Sequence, residues 1–148
     1  MTAPGPPDDR ALAGLLSTAD DAVVVADAEG VIRYWNPAAE AMFGHPARTA
    51  IGASLDLIIP ERLRERHWHG YRRVMETGET GYAGRMLAVP AVRADGTRIS
   101  VEFTVALLPD GDRGGVRWIG AILRDVTERW EEERALRRKL AELERQAG

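Results

Sequence analysis

The sequence predicts an α+β domain built on one mainly antiparallel sheet. Three observations predict it. Strand-like and helix-like runs are segregated along the chain instead of alternating. Tight turn signals, Asp27-Ala28-Glu29-Gly30 and Asp95-Gly96, join neighbouring strand runs as in hairpins. The length of 148 residues suits one compact domain with a tail or an appended helix.

Each element follows from local chemistry. Residues 1–10 carry three prolines and a glycine among polar residues and read as a disordered lead-in. Leu12, Leu15 and Leu16 then fall at helical spacing behind Asp8 and Asp9, which predicts a short amphipathic cap helix over 11–18. Ala22–Ala26 and Val31–Trp35 read as strands on either side of the Asp27–Gly30 turn. Asn36-Pro37 opens a helix: the asparagine caps free N–H groups, and proline at the first position sacrifices no hydrogen bond. Gly44 closes that helix. Residues 45–60 read as short helical turns and loop, with His45 as a turn residue.

Glu61–Glu76 is the strongest helix of the domain, closed by Thr77-Gly78. Tyr82–Arg93 reads as a strand whose Pro90 requires an edge or a bulge. Arg98–Leu108 alternates, with Ile99, Val101, Phe103 and Val105 on one face. After the Pro109–Gly115 loop comes a strand over Val116–Leu123. From Val126 onward the chain is charged and helical, with Leu136, Leu140 and Leu143 at 4–3 coiled-coil spacing. The expected organisation is a domain over 19–126 and a signalling or dimerisation helix over 127–148.

Composition excludes several classes of function. The hydrophobic share of 45% and charged share of 29% are those of an ordinary globular domain. A net charge of −3 creates no field to gather a polyanion, so no nucleic-acid partner is expected. No apolar run approaches the ~18 residues of a membrane span, and the N-terminus lacks the basic and apolar regions of a secretory signal. A cytoplasmic protein without a membrane partner is expected. The absence of cysteine excludes disulfides, thiolate metal sites and cysteine nucleophiles. Ser17, Ser54 and Ser100 have no His/Asp partners by motif, and there is no Gly-rich phosphate loop, so catalysis is not expected.

One residue stands out as a ligand candidate. On a helix from Glu61, positions 63, 67, 70, 71 and 74 share a face by the 3.6 period. His67 is thereby placed with Leu63, Tyr71 and Val74 toward the core, and Gly70 leaves room beside the imidazole. A neutral imidazole on an apolar wall suits an axial position on haem iron. His69 lies about 200° around the helix from His67, so the two cannot chelate one metal. Trp35, Trp118 and Tyr34 read as core and sheet residues, and Trp68 and Trp130 as interface residues.

Taken together, Val31–Glu40, Met42-Phe43-Gly44, Ile51-Gly52, Ile59-Pro60, Thr77-Gly78-Glu79, Arg93–Thr97 and Arg124–Arg129 resemble a PAS domain in order and spacing. The resemblance covers residues 12–130. It implies a five-stranded antiparallel sheet with helices packed on one face, a small pocket, and a sensory module that hands its signal to a flanking helix. The family's cysteine-dependent photoreceptor branches are excluded, because this chain has none.

The resemblance extends to the haem-binding oxygen-sensor branch. That branch carries its proximal histidine seven residues after an Ile-Pro pair, the place of His67 after Ile59-Pro60. It thus implies haem b on His67 as metal ligand, with Tyr71 alongside. Arg73, six residues on, stands where the branch meets a haem propionate; the alternative is a solvated helix face. On the gas side the chain departs from the branch. Leu87 occupies the place of the oxygen-sensing kinases' arginine, and Arg85, beside Met86, that of the haem phosphodiesterases' methionine. Arg85 and Leu87 share a strand face, from which Arg85 could reach a bound diatomic (O2, NO or CO) or simply meet solvent. Asp125 is placed to cap the helix that follows, and the resemblance implies that Asp125, Thr127 and Arg129 form an exit motif through which sheet strain enters that helix; the alternative is an ordinary capped terminal helix. The competing expectations are a cofactor-free or apolar-metabolite module that homodimerises through 11–18 and 128–145, and a flavin (FAD) redox sensor. No kinase, cyclase or DNA-binding output domain is visible in these residues; the expectations are a separate output protein such as a histidine kinase, a self-contained sensor, or a fragment of a longer chain.

Overall fold

A computed structural model describes residues 3–79, 87–109 and 115–148. Helix α1 (Asp9–Thr18) leads into strands β1 (Ala22–Asp27) and β2 (Ile32–Trp35). Helices α2 (Pro37–Phe43) and α3 (Ala47–Ala50) follow, then 3-10 turns at Leu55–Ile58 and Glu61–Leu63 and helix α4 (Arg64–Thr77). Strands β3 (Leu87–Val92), β4 (Arg98–Pro109) and β5 (Val116–Asp125) precede the terminal helix α5 (Thr127–Ala147). The described strands form one antiparallel sheet in the order β2-β1-β5-β4-β3. This is the expected α+β architecture.

The sheet closes by bringing the chain's ends together. β1 lies beside β5 with Ala22 opposite Leu123 and Val24 opposite Ala121. Residues directly opposite share a face, so these four line one face with Phe103, Val101, Ile99 and Ala91 from β4 and β3. Phe43, Ala39, Ala50 and Ile58 cover that face from the helical side and complete the core. Pro90, which cannot donate to a ladder, sits in β3 at the sheet edge, as its chemistry requires.

Ile32 and Trp35 are both buried although three positions apart. Regular alternation would send one of them to the opposite face. The β1–β2 register shifts between Val25 and Ala26, so Val25 pairs with Tyr34 but Ala26 with Ile32. Arg33 is the extra residue, and this bulge turns both apolar side chains inward.

Asn36 ties three elements together. It is fully buried. Its Oδ1 accepts from Val23 N–H at 2.8 Å and from Ala39 N–H at 2.9 Å, and its Nδ2 donates to the carbonyls of Leu16 and Asp21. Every lone pair and N–H of the amide is thus engaged, which is how a buried polar group avoids its desolvation cost.

Several expected boundaries move. Val31 forms an isolated bridge to Ser54 and not part of β2. The helix expected from Glu61 is a 3-10 turn over its first three residues, and α4 proper starts at Arg64. Its closure by Gly78 in the left-handed conformation (φ 68°) is as expected. β3 starts at Leu87, and the expected strand residues from Tyr82 to Met86 lie outside the described residues.

Candidate functional site

The site is built where α4 meets the β1–β2 turn. Asp27 organises that turn: its Oδ1 accepts from the N–H groups of Glu29 and Val31, and its Oδ2 from Arg33 Nε at 2.8 Å. Burial alone would push the Asp27 carboxyl up, but the hydrogen bonds from Val31, Arg33 and Glu29 hold it below the usual carboxylate range. Gly30 completes the turn at φ +79°, a conformation that costs a residue with a Cβ.

α4 grips this turn through two aromatic side chains. Tyr71, the one buried residue of α4, donates its hydroxyl to the Asp27 carbonyl at 2.5 Å. Burial, with the charges of Asp27 and Glu29, pushes the phenol well above its ordinary range, so it stays a donor. Trp68 covers Gly30: a Cβ at Gly30 would lie 2.1 Å from the indole carbon Cη2. The same indole donates Nε1–H to Asp56 Oδ1 at 2.7 Å. Arg64 adds donors to the carbonyls of Ile59 and Asp56. α4 is therefore held mainly by directed polar bonds and ring packing.

His67 lies in this aromatic group. Its ring centroid is 4.8 Å from that of Trp68, edge-on, and 5.7 Å from that of Tyr71. It is half-buried, and its Nδ1 is buried with no hydrogen-bond partner among the described residues. Burial pushes its pKa below the ordinary value, opposed by the nearby Asp56 charge, so the imidazole is neutral at pH 7.

The other expected site residues are distributed as follows. Leu63 and Val74 are half-buried with His67. Gly70 is exposed, and a Cβ built there meets nothing within 4 Å, so the free space beside it is open. Arg73 is exposed. Leu87 is the first residue of β3, opposite Phe103. Arg85 and Met86 lie outside the described residues. His69 is exposed on the other side of α4, where it lines an open hollow with Arg62, Glu65, Arg66 and Arg72. Among the described residues no group of His, Cys, Asp and Glu could hold a metal ion as a cluster.

Sequence reasoning missed three participants: Trp68, read as an interface residue, and Gly30 and Asp56, whose side of the contact is far away in the chain. A signal existed. Arg64, Trp68 and Tyr71 fall at i, i+4 and i+7, a second row beside the His67 row. Also missed was the continuation of the core face past Val105, through Leu107 and Ile119, as a strip of half-buried apolar residues. It ends beside Ala26, next to the residue that Tyr71 anchors.

The exit junction is closely bonded. Asp125 Oδ1 accepts from Thr127 N–H at 3.0 Å and from its hydroxyl. Thr127 Oγ1 in turn accepts from Ser100 N–H at 2.9 Å, and Val126 N–H donates to the Ser100 carbonyl. Arg129 pairs with Glu102 on β4. Val126, not Asp125, occupies the N-cap position, so Asp125 supports the helix start from one residue further out. β4 and α5 are thereby joined through Ser100, Glu102, Thr127 and Arg129.

Comparison with known proteins accords with this architecture. The family model described as the PAS fold matches residues 16–131. The chain belongs to the PAS-fold family. This PAS domain is 41% identical over 125 residues to a protein of Azorhizobium caulinodans, covering 84% of this chain and 17% of that one. It is 30% identical over 132 residues to the sensor protein FixL of Bradyrhizobium diazoefficiens, covering 89% of this chain and 26% of FixL. It is also 30% identical over 96 residues to the oxygen sensor protein DosP of Escherichia coli, covering 65% of this chain and 12% of DosP. The PAS domain therefore spans about a quarter or less of each of these relatives. Among solved structures, the PAS domain of a Colwellia psychrerythraea protein superposes with a TM-score of 0.68 at 22% identity, covering 80% of this chain and 97% of that one. An RNA-binding light-oxygen-voltage receptor superposes with a TM-score of 0.72 at 22% identity, covering 95% and 41%. At those identities the likeness is one of fold.

Proposed function

We propose that this PAS domain is a haem-based sensor of a diatomic gas (O2, NO or CO) or of redox state, with His67 as the proximal ligand. One observation carries the reading. A half-buried imidazole on α4 is held neutral by burial, with a buried ring nitrogen that no described residue engages. Neutral imidazole is the form that binds iron. The residues present fit such a group: Leu63, just ahead of α4, and Gly70 and Tyr71 on it fall in the His67 row, and Arg73 supplies an exposed guanidinium suited to a carboxylate. Val105, Leu107 and Ile119 offer an apolar wall. The group itself would supply an iron with an open position for the gas. Arg85 and Leu87 remain the candidates for the gas side. The relatives named as a sensor and an oxygen sensor support the same reading.

In this reading the domain is sensory, with no catalytic role. Its signal passes from β4 through Ser100 and Thr127 into α5, and the output partner is a histidine kinase or a comparable protein, as the sensor relatives suggest. The domain acts in the cytoplasm; no helix among the described residues is long and apolar enough to cross a membrane. It works as a homodimer through α1 and α5, whose leucines are exposed.

The visible spectrum after reconstitution with hemin tests the proposal. A Soret band that His67→Ala abolishes is the expected result. A colourless protein that gains no band overturns it. That outcome leaves the apolar-metabolite or cofactor-free dimerisation module, which the exposed leucines favour on their own account. Yellow protein with flavin bands would instead assign FAD.

A further inference from the structure

α4 and the turn before it carry a row of basic residues on their outer side. Arg62, Arg66, His69 and Arg72 follow one another at i, i+4, i+7 and i+10, which sets them on the face opposite the His67 row. All four are exposed, and they line the open hollow together with Glu65. Arg62 and Arg66 are like charges one turn apart, a spacing that weakens a helix. None of the three arginines has an ion pair among the described residues, and neither has Glu65, the one acid of the hollow. α5, the other strongly charged helix, is built differently: its six acidic and six basic residues cancel. A row that opposes its own helix and finds no counter-charge in the chain suits an anion from outside.

The rest of the molecule selects the kind of anion. The chain as a whole has a net charge of −3, so the hollow is a cationic patch on an anionic protein. Charges are screened beyond about 8 Å at physiological salt, so a short anionic segment feels the patch alone. A long polyanion such as nucleic acid would also lie against the acidic remainder. From Arg62 to Arg72 the row runs about 15 Å at the helical rise, the length of about five extended residues. Guanidinium forks meet carboxylates in paired hydrogen bonds. We infer that this face of α4 docks a short acidic segment of a partner protein, its carboxylates meeting Arg62, Arg66 and Arg72. His69 adds a ring N–H donor within the row. The docked segment would bear on the same helix that carries His67 on its inner side. The inference does not depend on what His67 binds.

Fluorescence anisotropy of a labelled oligoglutamate peptide of about six residues, titrated with the full chain, tests the inference. Saturable binding that weakens as salt rises is expected. Arg62→Glu with Arg66→Glu and Arg72→Glu should weaken it about tenfold or more. Arg62→Gln with Arg66→Gln and Arg72→Gln removes the charge without reversing it and should weaken binding less. This neutral variant carries the test should the reversed one fail to fold. Arg137→Glu with Arg138→Glu and Lys139→Glu makes the same change of net charge on α5 and should leave binding close to wild type. Absence of binding overturns the inference. Equal loss in the α5 variant also overturns it, by making the attraction one of net charge alone. Tighter binding of a labelled single-stranded DNA of about six nucleotides overturns it in favour of a nucleic-acid partner. None of these outcomes bears on the hemin test of His67.

Discussion

The indole of Trp68 occupies the space that a side chain at Gly30 would need. A Cβ there would come within 2.1 Å and 2.2 Å of two indole carbons, and Gly30 sits at φ +79°. Two independent penalties therefore act on any substitution. Gly30→Ala should destabilise the domain by about 3 kcal/mol, from the left-handed backbone and the steric overlap together. Removing the indole in the background of Gly30→Ala should recover the steric part, so the two substitutions should be non-additive in a denaturation cycle. Additive effects would mean that the indole does not lie against Gly30.

Asn36 presents the opposite case, a residue whose every polar atom is used. Asn36→Leu leaves the N–H groups of Val23 and Ala39 and the carbonyls of Leu16 and Asp21 without their partner. A loss of about 3 kcal/mol or more is expected. Urea unfolding should show a lower midpoint with an unchanged slope. Asn36→Asp keeps the acceptor oxygen and loses the two donors, and should fall between wild type and Asn36→Leu.

Thr127 joins β4 to α5, so its hydroxyl should control how firmly the helix start is held. Thr127→Val removes the acceptor for Ser100 N–H and should cost about 1–2 kcal/mol. Hydrogen exchange at the Ser100 amide should accelerate, while Thr127→Ser should leave it close to wild type. Unchanged exchange in the valine variant would show that the sheet and helix are joined by other contacts.

His67 should make the apo protein's stability depend on pH. Burial lowers its pKa below 6.5 in the folded state, whereas the unfolded chain takes up a proton near the ordinary value. The unfolded state therefore binds more protons below about pH 6.5. Stability attributable to His67 should be intact above that pH and fall as the pH drops toward the lowered folded value. Unfolding curves from pH 7.5 down to pH 5 should be steeper in pH for wild type than for His67→Phe. Equal slopes would place the imidazole in solvent.

Much of the fold was legible because it rests on local chemistry. Asn36-Pro37 and Gly44 bounded α2, Gly78 ended α4, and Pro90 marked an edge strand, each through what its own backbone permits. The histidine row on α4 was likewise readable from the helical period, though Gly70 at its margin is exposed. The Trp68 contact was not. Its partners Gly30 and Asp56 lie on other elements, and no periodicity links a helix residue to a turn 38 positions earlier.

By itself the sequence determined the order and kind of most elements, the ends set by Asn36-Pro37, Gly44 and Gly78, and which chemistries are absent for want of cysteine. Those properties belong to single residues and their immediate neighbours. The tertiary structure alone decided that β1 lies between β2 and β5, that a bulge at Arg33 turns both Ile32 and Trp35 inward, and that α4 docks on the Asp27–Gly30 turn. These depend on surfaces meeting across the chain, where shape and unsatisfied polar groups select one arrangement among several that the local pattern allows.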